Sequence, residues 1–470
     1  MKTSTISSIH EDYLSGKYSC EDFIKEKLKK AKDNTLNSCI LILEDSALQQ
    51  AKLVDQKIKS GKKLKDLEGI PFGVKDTFLV KDTITTGSSM ILENYRAPYT
   101  ATVVEKLLDQ GAILIAKENN DAFGHGSTTE NSHFGPTKNA IDPTLVAGGS
   151  SGGSAANVSA DITTFSIGED TGGSIRQPAG YNQVIGLKPT YGAVSRYGCM
   201  AYASSLDTVG PIAKSVSDIQ LIMNAVAGKD EKDFTSISYK KHSLESLETF
   251  DFSKVKVGYY KSFLESEALD PEIKKSIETV FSKLQEKGAT VKELTFFNDE
   301  LLIATYYIIA MAETASNLSR IDGIKYGYRH ADVQDLKSLY EETRFFGFSE
   351  ETKRRIISGN QVLSQGFLDK YYIKALIARE KLIEHFKKDF EAVDFILSPV
   401  TPKTPPKIGT TLDDPLAMYM SDMYTVGFSL GKLPTISLPL HSPTGIQITG
   451  DYSKDNELLK FAYNLDILCE

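Results

Sequence analysis

The chain reads as one large α/β domain, a sheet covered by helices on both faces, and three observations predict it. Amphipathic helical segments alternate with short apolar runs bounded by Gly and Pro, the pattern that lays helices on the faces of a sheet. A stretch over about 300–391 is almost wholly helical in pattern and reads as an insertion, with strands returning after it. No repeat or low-complexity linker divides the 470 residues, so the domain is taken as 1–470, although length alone suits about three ordinary domains.

In chain order, residues 20–32 and 46–60 carry helical periodicity, the second stopped by Gly61. Gly69-Ile-Pro-Phe-Gly-Val-Lys75 reads as a short strand, followed by a helix over about 102–110 and a strand over 112–117. An alanine-rich stretch at 155–160 reads as helix and leads to a compact segment at 163–168. Further on come a strand at 184–188, a helix near 216–227, a strand at 255–260, a helix at 271–287 and a strand at 290–294. Beyond the helical stretch, strands are predicted at 393–398, 435–440 and 445–449.

Composition narrows the function. A net charge of −8 supplies no electrostatic footprint for unaided nucleic-acid binding. Cys20, Cys39, Cys199 and Cys469 are far apart, so neither a zinc knuckle nor a disulfide framework is implied. The first residues lack an apolar leader core, and no uninterrupted apolar run approaches the ~20 residues that span a bilayer. A soluble cytoplasmic protein is expected, with an organellar stroma or matrix left open.

Two glycine-embedded serines point to chemistry. Ser150 sits in Gly148-Gly-Ser-Ser-Gly-Gly-Ser154 and Ser174 in Asp170-Thr-Gly-Gly-Ser-Ile-Arg176. Each run ends in a segment that looks helical, so each presents backbone N–H groups and a hydroxyl where negative charge is stabilised. The first run satisfies G-x-S-x-G twice, but the residues before it are turn-rich rather than a strand, which weakens a nucleophile-elbow reading. No Walker A pattern supports a nucleotide loop.

A serine nucleophile needs a base. Of the seven histidines, His125 and His133 lie in a polar loop that could line a pocket, and the others look like surface positions. Lys75 is the other candidate, because it ends an apolar strand; to accept a proton it must be neutral, which burial favours. Strand alternation turns Asp76 to the opposite face.

These residues resemble the amidase signature family, through Gly69–Asp76, through Gly148–Ala156 and through Asp170–Ala179. The resemblance implies a mixed, twisted sheet sandwiched by helices and a Ser-cisSer-Lys triad that cleaves amides. Carried over residue by residue, the nucleophile is Ser174, the bridging serine after a cis peptide is Ser150, and the base is Lys75. Backbone N–H groups of Thr171, Gly172 and Gly173, with Ser174, are implied as the oxyanion hole.

Within that family the chain is similar to the glutaminase subunits of tRNA-dependent amidotransferases, in stretches such as Gly126–Ser132, Gly186–Gly192, Ser204–Asp207, Ala304–Tyr307, Arg320–Gly323 and Lys353–Ile356. That likeness implies hydrolysis of glutamine and delivery of ammonia to a partner that activates misacylated Glu-tRNA(Gln) with ATP and Mg, in a heterotrimer with subunits B and C. No cofactor or metal is then expected in this chain. A zwitterionic glutamine calls for a cation and an anion; by resemblance these are Arg355 and Asp422, with Tyr306 closing the pocket and Arg354 and Tyr307 one residue away in register. The chain departs from the family pattern at His125 and at Gly180-Tyr-Asn-Gln183. A free-standing amidase of small amides and a catalytically silent scaffold of the same assembly are the alternative readings.

Overall fold

A computed structural model describes residues 5–296, 300–410 and 414–470. Among these, eleven strands form one mixed sheet: β1 Cys39–Ile42, β2 Pro71–Lys75, β3 Ile113–Glu118, β4 Phe165–Asp170, β5 Ile185–Lys188, β6 Thr208–Ala213, β7 Lys256–Tyr260, β8 Thr290–Leu294, β9 Phe395–Pro399, β10 Thr435–Leu438 and β11 Ile446–Gly450. Their order across the sheet is β1-β3-β2-β4-β6-β5-β10-β11-β9-β7-β8. Strands β2, β3 and β4 run parallel, as do β7, β8 and β9, and antiparallel pairs join these two groups through β6, β5, β10 and β11.

The central strands are buried along their whole length, as expected for strands covered by helices on both faces. Phe72 stacks on Phe165 across the β2–β4 pair, with ring centroids 5.3 Å apart. Between β8 and β9 the chain passes through helices Glu300–Asn317, Leu336–Gly347, Glu350–Leu363 and Tyr372–Ala392, the segment read as helical from sequence.

Some elements depart from the sequence pattern. Strand β6 carries Gly210 and Pro211 at its middle, where Pro211 faces Ile167 of β4; such residues demote a strand on pattern alone. Strand β1 is four residues long with both faces half-buried, too short for a periodic signal. Residues Leu301–Arg320 form a helical stretch long and apolar enough to cross a membrane by mean composition, although Glu313 interrupts it, so it is not the uninterrupted apolar run excluded from sequence. Of that window 61% is buried inside the fold, where the stretch acts as a core helix.

Candidate active site

The chain order of these elements brings the two serine runs to Lys75. Strands β2 and β4 are parallel neighbours, with Val74 beside Ile167, so Lys75 at the end of β2 and the loop after Asp170 emerge at one edge. Helix Gly152–Ser159 returns the chain to the start of β4, which sets its own N-terminus and the preceding Ser150 at that same edge. Ser151 N–H donates to Ser174 C=O at 3.1 Å, tying the two runs together.

Lys75 Nζ lies 2.7 Å from Ser150 Oγ, with both residues buried and the Gly149–Ser150 peptide cis. Ser150 is held from both sides. Its C=O accepts from Asp121 N–H, and Gly149 N–H donates to Gln177 Oε1 at 2.8 Å. Asp121 also accepts from the N–H groups of Thr129 and Asn131; burial pushes its carboxyl up to about 7 against those bonds. Asp76 turns away from this site and pairs with Lys117 at 2.6 Å, as strand alternation requires.

The loop carrying Ser174 is shaped by one carboxylate. Asp170 accepts from Gly173 N–H at 2.8 Å and Ile175 N–H at 3.1 Å, and it pairs with buried Arg176. Burial drives the Asp170 carboxyl up, yet Arg176 and these donors leave it below its ordinary value. Because Gly173 N–H is committed to Asp170, the oxyanion candidates in this loop narrow to the N–H groups of Thr171, Gly172 and Ser174. Thr171 Oγ1 anchors the loop's start to Asp207 at 2.8 Å.

Both neighbouring tyrosines are engaged. Tyr306 packs its hydroxyl end so closely on Gly172 that a Cβ there would collide with it. Tyr307 donates to Asp422 Oδ2 at 2.7 Å. Burial lifts the Asp422 carboxyl to about 7, with the Tyr307 hydrogen bond and Arg355 opposing the rise.

Arg355 is 3% exposed, and its guanidinium lies over the rings of Tyr202, Tyr307 and Tyr419 at 5.4 to 5.6 Å. It donates to Glu351 Oε1 at 2.7 Å and to Tyr202 Oη at 2.6 Å. Arg354 keeps a side chain 44% exposed and takes the other oxygen of Glu351. A cleft of about 520 Å3 opens on this side, walled by Glu351, Arg354, Thr128, Glu130 and Met418 among others. His125 is buried between Thr314 and Thr352 with its ring edge-on to Tyr202. Burial, then Arg355 and Lys75, hold its imidazole well below its ordinary value, so it is neutral. His133 sits 3.7 Å from Glu93 near the surface.

Sequence reasoning missed Tyr202, Tyr419 and Glu351. Only Glu351 carried a readable signal, because it precedes Arg355 by four residues on a helix. Among the described residues no cluster of His, Cys, Asp and Glu suits a metal ion.

Comparison with known proteins gives a consistent picture. A family model described as Amidase matches residues 22–459. The chain is 46% identical over 442 residues to the glutamyl-tRNA(Gln) amidotransferase A subunit of Lachnospira eligens, covering 93% of this chain and 92% of that protein. It is 43% identical over 465 residues to the like-named protein of Thermoanaerobacter pseudethanolicus, covering 98% of this chain and 95% of that one. The crystal structure of the Thermotoga maritima glutamyl-tRNA(Gln) amidotransferase A subunit superposes with a TM-score of 0.79 at 34% identity, over 97% of this chain and 93% of that one.

Proposed function

The chain belongs to the amidase family, and from that premise we propose that it is the glutamine-hydrolysing component of a glutamyl-tRNA(Gln) amidotransferase. The observation that carries the reading is the buried 2.7 Å contact between Lys75 Nζ and Ser150 Oγ, made on a run that is hydrogen-bonded to Ser174. In this reading Ser174 Oγ attacks the carboxamide carbon of glutamine while its proton passes through Ser150 to a neutral Lys75. The N–H groups of Thr171, Gly172 and Ser174 hold the oxyanion, a contribution typically of about 3–4 kcal/mol per donor. The proton then returns through Ser150 to the leaving nitrogen, ammonia departs, and water releases glutamate from Ser174 by the same route.

Arg355 takes the α-carboxylate and Asp422 the α-ammonium of the substrate. The geometry favours this assignment over Arg354, because Arg355 is buried and shares Tyr307 with Asp422. The helices between β8 and β9 supply Tyr306 and Arg355 and so act as the substrate-binding insertion of a domain that spans the chain. Two partner chains, B and C, complete a heterotrimer in which one partner binds Glu-tRNA(Gln) and uses ATP and Mg. This chain carries no cofactor of its own and works in the cytoplasm.

The test is ammonia release from L-glutamine, L-asparagine and a neutral aryl amide by the native assembly, beside a Ser174→Ala variant. Turnover of glutamine that disappears in the variant is the expected result. Preference for the aryl amide would replace the proposal with a free-standing amidase, and turnover independent of Ser174 would remove it altogether.

A further inference from the structure

Glu169, next in sequence to Asp170, is a buried carboxylate placed against the lysine of the site and used by nothing described above. Its side chain is 2% exposed, and Oε2 lies 3.8 Å from Lys75 Nζ. Among the described residues neither carboxylate oxygen has a partner in full hydrogen-bond geometry, and the nearest donors are the neutral Thr77 hydroxyl and Cys199 thiol. Asp170 offers the contrast one residue later, with an arginine and backbone N–H groups on its oxygens. An ionised carboxylate deprived of such donors is costly to bury unless it is paired, and Lys75 is the cation in reach.

The surroundings of Glu169 sharpen this. Lys75 faces it from β2, Thr77 from just beyond that strand, and Cys199 and Asp207 from the segment leading to β6. Asp207 accepts from Tyr202 N–H, Ala203 N–H and Thr171 Oγ1, so its negative charge is better supported than that of Glu169. Glu169, Cys199 and Asp207 also wall a cavity of about 190 Å3, together with Arg196, Lys232 and Asp233. To reach hydrogen-bond distance from Nζ the Glu169 carboxyl must shift by about 1 Å.

We propose that Glu169 shares the proton of Lys75 and so limits the fraction of the enzyme whose lysine is free to act as a base. The proposal rests on the assignment of Lys75 as that base. In one arrangement Lys75 is an ammonium and Glu169 a carboxylate, and Ser174 cannot be deprotonated. In the other an Nζ–H bond has broken, an Oε2–H bond has formed, and the electron pair left on nitrogen can take the proton of Ser174 through Ser150. The two arrangements hold the same number of protons, so pH does not select between them. A second proton on the pair, at acid pH, silences both. Glu169 is therefore a positioning residue for a proton, acting through Lys75 rather than on substrate.

Replacing the carboxyl by a neutral amide removes the ion-paired arrangement and leaves the neutral lysine. Glutamine-dependent ammonia release by the native assembly should be followed from about pH 6 to 10 for wild type and Glu169→Gln. At the acid end the two rates coincide, because there both enzymes reach the active form by losing one proton from Lys75 beside a neutral neighbour. Above it the variant keeps climbing: its plateau exceeds wild type by threefold or more, roughly, and its midpoint moves to higher pH by the logarithm of that same factor, about half a pH unit or more. Glu169→Ser, which lacks any carboxyl, must move in the same direction should the glutamine variant fold poorly. Superimposed profiles, or a rate lowered equally at every pH, would overturn the proposal. Lys75→Ala and Ser174→Ala separate the two levels of the argument: turnover surviving in the first removes the base assignment and in the second the nucleophile, whereas turnover lost in both with an unshifted Glu169→Gln profile removes only the role of Glu169.

Discussion

Arg176 and Asp170 meet at two contacts inside the fold, Nε to Oδ2 at 3.0 Å and Nη2 to Oδ1 at 2.9 Å, with neither side chain exposed. The other guanidinium donors reach Thr425 C=O, Gln447 Oε1 and Ser429 Oγ. All five N–H groups of Arg176 thus have acceptors, which is the condition under which a buried arginine is tolerated. The pair fixes the Ser174 loop, because the same carboxylate takes Gly173 N–H and Ile175 N–H. Arg176→Ala should cost about 3–5 kcal/mol of stability by leaving Asp170 buried and uncompensated. Arg176→Lys cannot reproduce the fork and should recover only part of that loss. Denaturant unfolding of both variants checks this; a midpoint unchanged in Arg176→Ala would contradict it.

Arg354 and Arg355 are neighbours on one helix with opposite environments, so their truncations should separate cleanly. Arg355→Ala removes the cation assigned to the substrate carboxylate and should raise KM for glutamine by roughly 10- to 100-fold, the worth of a charged hydrogen bond. Arg354→Ala touches a half-exposed ion pair and should leave KM within about twofold. Steady-state kinetics on the two variants decides it: the reverse order of effects would mean that the pocket reads the other register, and equal effects would remove the distinction.

The residues most legible from sequence are those whose role is local. Ser150 and Ser174 stand in glycine-rich runs and Lys75 ends an apolar strand, so short motifs were enough to single them out, and the parallel β2–β4 pairing then brings the runs together. Sequence alone could not separate Arg354 from Arg355, because the difference lies in three tyrosine rings drawn from distant parts of the chain. Gly173 looked equivalent to its neighbours as an oxyanion donor, yet its N–H is taken by the Asp170 side chain. Glu169 gave no sign at all: strand alternation tells which face it occupies, but not that Arg176 and the loop N–H groups would go to Asp170 instead. The irregular strands were hidden for a simpler reason, since Gly210 and Pro211 break the alternation on which a strand is recognised.

If Asp422 holds the substrate ammonium as proposed, glutamine binding should depend on pH. Its carboxyl is raised to about 7 by burial, and only the ionised form can pair with the substrate ammonium. KM for glutamine should therefore rise as pH falls through about 7 and level off above it. Tyr307→Phe removes the hydrogen bond that opposes the rise, so the same limb should move to higher pH. A pH series of KM for both proteins tests the assignment; a KM flat between about pH 6 and 8 would argue that Asp422 does not contact the substrate.

Glu118 should make part of the fold less stable as pH rises, the reverse of a salt-bridged carboxylate. It is fully buried at the end of β3, with Oε1 accepting from Ser166 at 2.7 Å and Asn157 at 3.0 Å, while Oε2 has no partner in full hydrogen-bond geometry among the described residues. Gly73 of β2 lies against it so tightly that a Cβ there would clash with the carboxyl, so the side chain has no room to turn towards water. Burial raises it from an ordinary 4.5 to about 7 in spite of these donors. Between those two values the unfolded chain has lost a proton that the folded protein keeps, so the unfolded state binds fewer protons and stability falls as pH rises. The contribution is complete below about 4.5, is lost by about 7, and amounts to roughly 3 kcal/mol at most. Glu118→Gln presents the same acceptor to Ser166 and Asn157 without a titrating proton. Unfolding free energies at about pH 5 and 8 should therefore differ less in the variant than in wild type, with the variant the more stable of the two at the alkaline end. An equal pH dependence in both would place the titration elsewhere, most directly on Asp121, whose buried carboxyl is raised to about 7 by the same cause.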